Sequence, residues 1–164
     1  MCPVRIGNGF DVHQLATGRP LWLGGIRIPH HKGCVAHSDG DVLVHAICDA
    51  LLGAAALRDI GVHFPDTDKA YKDIDSKQLL QATMQSVRSA GYEIGNIDTV
   101  VCLEQPKIKD YIPTMQETLA QVMHIALAQL SIKATTCEQL GYVGREEGVS
   151  AYAVAILQFK LENS

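Results

Sequence analysis

Near the start of the chain an acid and an imidazole stand two residues apart, Asp11 and His13, in the run Gly7-Asn8-Gly9-Phe10-Asp11-Val12-His13. In an extended strand residues i and i+2 project from one face, so these side chains offer an oxygen and a nitrogen to the same region of space, and Phe10 faces the other way. A third candidate ligand, His45, lies in an otherwise apolar helical pattern. There Asp41, His45 and Asp49 recur at i, i+4 and i+8 and form one polar stripe. One carboxylate and two imidazoles suit a catalytic Zn²⁺ that keeps an open position, whereas a closed structural site usually recruits thiolates. Asp41 and Asp49 are then expected to hydrogen-bond the ring nitrogen of His45 that faces away from the metal, fixing its tautomer. Spacing alone leaves a second reading open, in which His45 is a hydrogen-bonded core histidine and the Asp-x-His pair is coincidence.

The glycines of the same run do not complete G-x-G-x-x-G, and no helix start follows them, so neither a dinucleotide turn nor a phosphate loop is supported. Gly7 and Gly9 read instead as room for a strand end to approach a metal and a diphosphate closely. Farther along, Lys133 to Glu138 and Gly141 to Gly148 combine hydroxyls, cations and carboxylates on short turns. Such groups suit phosphate oxygens and a hard cation, although a helix cap followed by a glycine-rich loop has the same composition.

The elements that must position these groups can be read from periodicity. A strand is expected from Val4 through His13, a hairpin over Leu21 to Ile28 closed by Gly24-Gly25, and a helix over 41–57 capped by Ser38 or Asp39. A turn-rich acidic segment, 61–68, precedes a helix over 76–90 stopped by Gly91. Then follow a strand at 98–104, a helix at 113–128, and strands at 131–136 and 149–161. Strands alternating with helices predict an α/β, two-layer fold, and 164 residues fit one catalytic domain spanning 1–164. A net charge of −4 argues against a nucleic-acid surface, and no apolar run is long enough to cross a bilayer. The five cysteines are odd in number and form no C-x-x-C pair, which points to reduced thiols and a cytoplasmic setting. With a strand pattern beginning at Val4, no signal or transit peptide is expected.

Taken in order, GNGFDVH, AHSDGDVLVHAICDALLGAAALRDIG, HFPDTD, QPK and KATTCEQLGYVGREEG resemble the 2-C-methyl-D-erythritol 2,4-cyclodiphosphate synthase family, from about Arg5 to the final strand. The resemblance implies a mixed sheet packed on one side by helices in a ferredoxin-like arrangement, assembling as a homotrimer with active sites between subunits. It implies an enzyme of the non-mevalonate isoprenoid pathway. Its substrate is 4-diphosphocytidyl-2-C-methyl-D-erythritol 2-phosphate, cyclised with release of CMP, a metal-dependent phosphorus–oxygen lyase reaction.

By the same resemblance, Asp11, His13 and His45 hold Zn²⁺, and Glu138 holds Mg²⁺ or Mn²⁺. His37 and Thr136 stabilise the transition state, and Ser38 helps to position the phosphates. Asp59, Ile60, Gly61, Phe64, Pro65, Asp66, Thr67 and Asp68 form the erythritol side of the pocket. Leu103, Pro106, Lys107, Ile108, Lys109, Thr135 and Cys137, with Tyr142 and Arg145, form the nucleotide and diphosphate side. Phe10, Arg145 and Glu147 are placed around the trimer axis, where an isoprenoid diphosphate would be enclosed. Cys137 departs from a third Thr in many relatives and sets an oxidisable or metal-seeking thiol beside the pocket. Two other classes remain to be separated by experiment: a zinc-dependent phosphohydrolase using the same metals to activate water, and a non-catalytic isoprenoid-diphosphate binding protein.

Overall fold

Fourteen residues, Val4–Thr17, form one long strand, β1, in the computed structural model, which describes residues 4–65 and 67–160. Its two faces differ as the alternation requires. Gly7, Gly9, Asp11 and His13 turn toward helix α1 (Val42–Ala54), while Ile6, Phe10 and Val12 turn away and are exposed. β1 pairs antiparallel with β7 (Gly148–Phe159), which pairs antiparallel with β5 (Tyr92–Cys102). β5 pairs in parallel with β6 (Leu130–Thr135) after a crossover through α4 (Ile112–Met123), and β4 (Lys32–Val35) lies on the opposite edge. The sheet order is β4-β1-β7-β5-β6. β1 and β5 run parallel with β7 between them, a split βαβ, but the parallel β5–β6 edge lies outside the ferredoxin-like order expected from the resemblance.

Helices α1, α3 (Ser76–Ser89) and α4 cover one face of the sheet. α1 is the core of the layer: Leu43, Ile47, Leu51 and Leu52 are fully buried. It can lie so close to β1 because of two glycines. A Cβ on Gly7 would stand 1.9 Å from the Ala50 carbonyl oxygen, and one on Gly9 1.9 Å from that of Ala46. The glycines therefore admit the helix backbone, and the expectation that they make room for a metal and a diphosphate is corrected.

β2 (Leu21–Leu23) and β3 (Ile26–Ile28) form the expected hairpin, with Gly24 and Gly25 at φ +64° and +78°, the left-handed pair that a tight hairpin turn needs. α1 stops at Ala54, short of 57, because Ala56 and Arg58 take left-handed backbone conformations. α4 ends at Met123 for the same reason, with His124 at φ +54°. β5 starts at Tyr92, directly after Gly91 and well before 98; a bulge between Ile94 and Asn96 interrupts the alternation that would have revealed it. β4, α2 (Ile60–His63) and α5 (Gly141–Gly144) were not expected; each is four residues long, too short to show a period. Among the described residues no helix is long and apolar enough to cross a membrane.

Candidate metal centre

β1 carries Asp11 and His13 toward the helix layer, and the first turns of α1 carry His45 toward β1. The three ligand atoms form a near-equilateral triangle: Asp11 Oδ2 lies 3.0 Å from His45 Nδ1 and 3.1 Å from His13 Nε2, and the two ring nitrogens are 3.2 Å apart. Tetrahedral bonds of about 2.0 Å place neighbouring ligand atoms about 3.3 Å apart, so this triangle has the size of three corners around a small divalent cation. Asp11, His13 and His45 are also the one set of metal-capable side chains found within mutual reach among the described residues.

The far nitrogen of His45 is fixed by a chain of hydrogen bonds. Nε2 lies 2.9 Å from Ser76 Oγ, and the Ser76 hydroxyl donates to Asp39 Oδ1. Having given its proton to the carboxylate, Ser76 must accept from His45 Nε2–H, so that in the neutral ring the lone pair is on Nδ1, facing Asp11 and His13. Asp39 is itself held by the backbone N–H groups of Ser76 and Asp41. This is the tautomer lock that the helix stripe suggested, built from different residues.

Asp41 and Asp49 do not hydrogen-bond the His45 ring, which corrects that reading. Asp41, fully buried, caps α1: it accepts from Val44 N–H and from the hairpin N–H groups of Gly24 and Gly25. Burial pushes its carboxyl up against those three bonds. The cap is thus Asp41 in place of Ser38 or Asp39. Asp49 accepts from Ile60 N–H at 2.8 Å and ties α1 to the start of α2. Helical spacing put these carboxylates on a common stripe, but they stand about two turns apart along the helix and each meets a different backbone segment.

Electrostatics keeps Asp11 charged and sets a proton in competition with a metal at His45. Burial alone would raise the Asp11 carboxyl, yet hydrogen bonds and attraction from His13 and His45 hold it well below the usual carboxylate range. Burial likewise opposes protonation of His45, and Asp11 outweighs it, pushing the imidazole up. A divalent ion would replace that proton as the charge balancing Asp11.

The triangle opens into a cavity of about 380 Å³ lined by His13, His45, His37, Ser38, Ile60, Gly61, Phe64 and Pro65, together with Tyr71 and Leu79. Of the erythritol-side candidates, Ile60, Gly61, Phe64 and Pro65 thus share a cavity with His13 and His45. Asp59 caps α2 through Val62 N–H, and the His37 ring lies 3.4 Å from the Asp68 carbonyl oxygen. Thr67 and Asp68 are exposed beside this rim, and Asp66 lies outside the described residues. Ser76, Asp39 and Tyr71 were not anticipated. For Ser76 and Asp39 the one sequence signal was a surplus of cap-type residues, Ser76 beside Asp75 and Asp39 two residues before Asp41, when each helix needs a single cap; Tyr71 had none.

The nucleotide-side candidates lie elsewhere. Leu103, Pro106, Lys107, Ile108, Lys109, Thr135 and Thr136 line a separate cavity of about 130 Å³. Cys137, Glu138 and Tyr142 line a third, of about 570 Å³, with Cys102, Ser150 and Tyr152. Thr136 Oγ1 donates to Glu138 Oε1 at 3.1 Å, linking these two groups. Phe10 stacks obliquely on Tyr152 on the uncovered face, and Arg145 grips Glu147 with two hydrogen bonds.

The sequence profile of the YgbB family matches residues 4–158. The chain belongs to the YgbB family. It is 63% identical over 155 residues to the 2-C-methyl-D-erythritol 2,4-cyclodiphosphate synthase of Porphyromonas gingivalis, covering 94% of this chain and 96% of that one. The synthase of Bacteroides thetaiotaomicron is 60% identical, with 94% and 98% covered. Among solved structures, the bifunctional IspDF of Campylobacter jejuni superposes with a TM-score of 0.92 at 44% identity; the match takes in 95% of this chain and 42% of that longer one. A 2C-methyl-D-erythritol-2,4-cyclodiphosphate synthase in its CDP-bound form gives a TM-score of 0.87 at 37% identity, with 94% and 100% covered.

Proposed function

We propose that this YgbB-family chain is a zinc-dependent 2-C-methyl-D-erythritol 2,4-cyclodiphosphate synthase of the non-mevalonate isoprenoid pathway, working in the cytoplasm. The observation that carries the reading is the Asp11–His13–His45 triangle opening into the cavity lined by His37, Ser38, Ile60 and Gly61. The reaction joins two anionic groups of one molecule: the 2-phosphate of the cytidyl substrate attacks the β-phosphorus and CMP leaves. Charge neutralisation and in-line positioning dominate such a step, and a protein nucleophile is not required. Zn²⁺ bound by the triangle would act as a Lewis acid on a phosphate oxygen.

The protein's own groups do the rest. His37 and Ser38 stand on the cavity wall where they can donate to phosphate oxygens, and the backbone at Ile60 and Gly61 offers polar contacts to the erythritol hydroxyls. Asp49 positions Ile60 through its N–H. Thr136 and Glu138 serve the diphosphate, Thr136 as a hydroxyl donor and Glu138 as ligand of Mg²⁺ or Mn²⁺. Lys107 and its neighbours take the cytidine end.

Because the nucleotide residues line a different cavity from the metal triangle, one chain holds an incomplete site. A homotrimer that sets one subunit's Lys107 and Thr136 against the next subunit's triangle completes it. The apolar face bearing Ile6, Phe10, Val12, Tyr152 and Val154 is suited to the contact. Around the axis an isoprenoid diphosphate would meet Arg145 at Nη1, since Nε and Nη2 already donate to Glu147.

Incubation of the zinc-loaded protein with the cytidyl substrate, read by ³¹P NMR, tests the assignment. Cyclic diphosphate and CMP in equal amounts are expected. Linear phosphate products would establish the phosphohydrolase instead, and a zinc-replete protein that releases no CMP would establish the binding protein.

A further inference from the structure

The β2–β3 hairpin gathers cations that the metal centre does not use. A cavity of about 520 Å³ opens beside it, lined by Arg19, Arg27, His30 and His31 together with the Trp22 indole. Leu21 and Ile28, both buried, add apolar wall. Among the described residues no carboxylate lines it, in a chain whose acids outnumber its Lys and Arg by 18 to 14. It shares no lining residue with the cavities of the metal triangle or of the nucleotide side. β2 and β3 pack on α1, α4 and β4, so this cavity lies beside the helix layer, off the exposed sheet face proposed for the subunit contact.

Local pairing holds the basic groups in place. Arg27 stands directly across from Trp22 in the hairpin register. The Gly18 N–H donates to the His31 carbonyl at 3.0 Å, which sets the Arg19 turn against the two histidines, whose rings meet at a tilt with centroids 4.4 Å apart. Neither guanidinium has a hydrogen-bond or ion-pair partner among the described residues, whereas the neighbouring Lys32 and Lys77 are engaged by Glu146 and Asp75. His30 Nε2 is buried without a partner, so the fold gives that nitrogen nothing to hold. Burial, then the charge of His31, holds the His30 imidazole below its usual value, and Lys32 adds to this against the pull of Glu146. Unpaired cations around one hollow repel one another, and a bound anion relieves the repulsion while giving both guanidiniums partners.

We propose that this cavity is a second ligand site, which takes the phosphate or diphosphate group of a small molecule between Arg19 and Arg27, with Trp22 as its apolar wall. The planar fork of each guanidinium matches two phosphate oxygens. The cations surround a single hollow of the size that small ligands fill, which favours a compact anion over an extended acidic segment of another protein. The site uses no residue assigned to the synthase reaction.

Trp22 is the chain's one tryptophan, so its emission reads this cavity and not the metal centre. Full-length, zinc-loaded protein is titrated with inorganic diphosphate, with ionic strength held constant by chloride and excitation beyond the tyrosine band. Expected is a saturable change in emission with a midpoint of about 1 mM or lower. The midpoint should rise about tenfold in Arg19→Ala and in Arg27→Ala, each of which loses charge-assisted hydrogen bonds, and should not move in Lys107→Ala. Both arginines are exposed, so circular dichroism of the variants should match the unaltered chain. Inorganic phosphate and CMP separate the sources of the group: equal midpoints make the phosphate the whole ligand, and a tighter CMP midpoint adds a nucleoside packed on Trp22. A non-saturating change, a midpoint untouched when Arg19→Ala and Arg27→Ala are combined, or a response only to a poly-glutamate peptide would overturn the site.

Discussion

Replacing Ser76 by Ala removes the partner of His45 Nε2 and leaves all three metal-ligand side chains in place. Ser76 is almost fully buried, and so is the His45 ring, so water does not readily replace the lost oxygen. An unpaired buried N–H costs about 1–3 kcal/mol. At about 1.4 kcal/mol per factor of ten, that is about a 5- to 150-fold weaker zinc affinity if the whole cost falls on the metal-bound tautomer. Ser38 Oγ, 3.3 Å from the same nitrogen, can take over part of the bond and moves the expectation toward about tenfold, the lower end of what supporting hydrogen bonds contribute at metal sites. Helix α3 should survive, because Asp75 and not Ser76 is its cap. Competition with a fluorescent zinc chelator at pH 7.5 measures the change, with circular dichroism confirming the fold. An unchanged zinc affinity would refute the tautomer argument. So would an equal loss in Asp49→Ala, whose carboxylate holds Ile60 and not the ring.

Asp49→Ala is expected to retain zinc and to raise KM several-fold by releasing the Ile60 backbone from α1, which steady-state CMP release alongside metal analysis would show. Gly9→Ala should destabilise the protein by about 3 kcal/mol or prevent folding, since its Cβ would overlap the Ala46 carbonyl oxygen; thermal melts give the value. Zinc affinity should fall with acidification from above about pH 6.5, because the folded, metal-free His45 has its pKa raised and the proton competes there. The metal-free fold has the opposite dependence. The stabilisation from the raised His45 is fully present below the unfolded value and is lost as pH rises through the folded one, so the zinc-induced gain in melting temperature should widen from pH 6 to pH 8.

What the sequence made legible were features that depend on near neighbours. The two-residue period of β1 placed Asp11 and His13 on one face and Phe10 on the other, and apolar spacing located α1 and His45. The roles of Asp41 and Asp49 were misjudged because their partners are backbone N–H groups of the hairpin and of α2, which no helical spacing encodes. Ser76 and Asp39 went unnoticed because they meet His45 and each other across 31 to 37 residues and look like ordinary caps. The purpose of Gly7 and Gly9 was hidden for a related reason: the helix backbone that needs their missing side chains lies some forty residues on, at Ala46 and Ala50. The spread of the candidate residues over three cavities is encoded in no spacing, since motif order says nothing about which motifs share a wall; only the family resemblance, with its sites between subunits, led one to expect it.

The central claim is that the Asp11–His13–His45 triangle holds a divalent ion required for cyclisation. The most direct measurement is CMP release from the cytidyl substrate by protein stripped with a chelator, then titrated with Zn²⁺ with the Mg²⁺ concentration held fixed. The account predicts negligible release from the stripped protein, recovery that saturates at one zinc per chain, and no recovery in His45→Ala. Full CMP release by the stripped protein, or zinc-dependent recovery in His45→Ala equal to that of the unaltered chain, would contradict it.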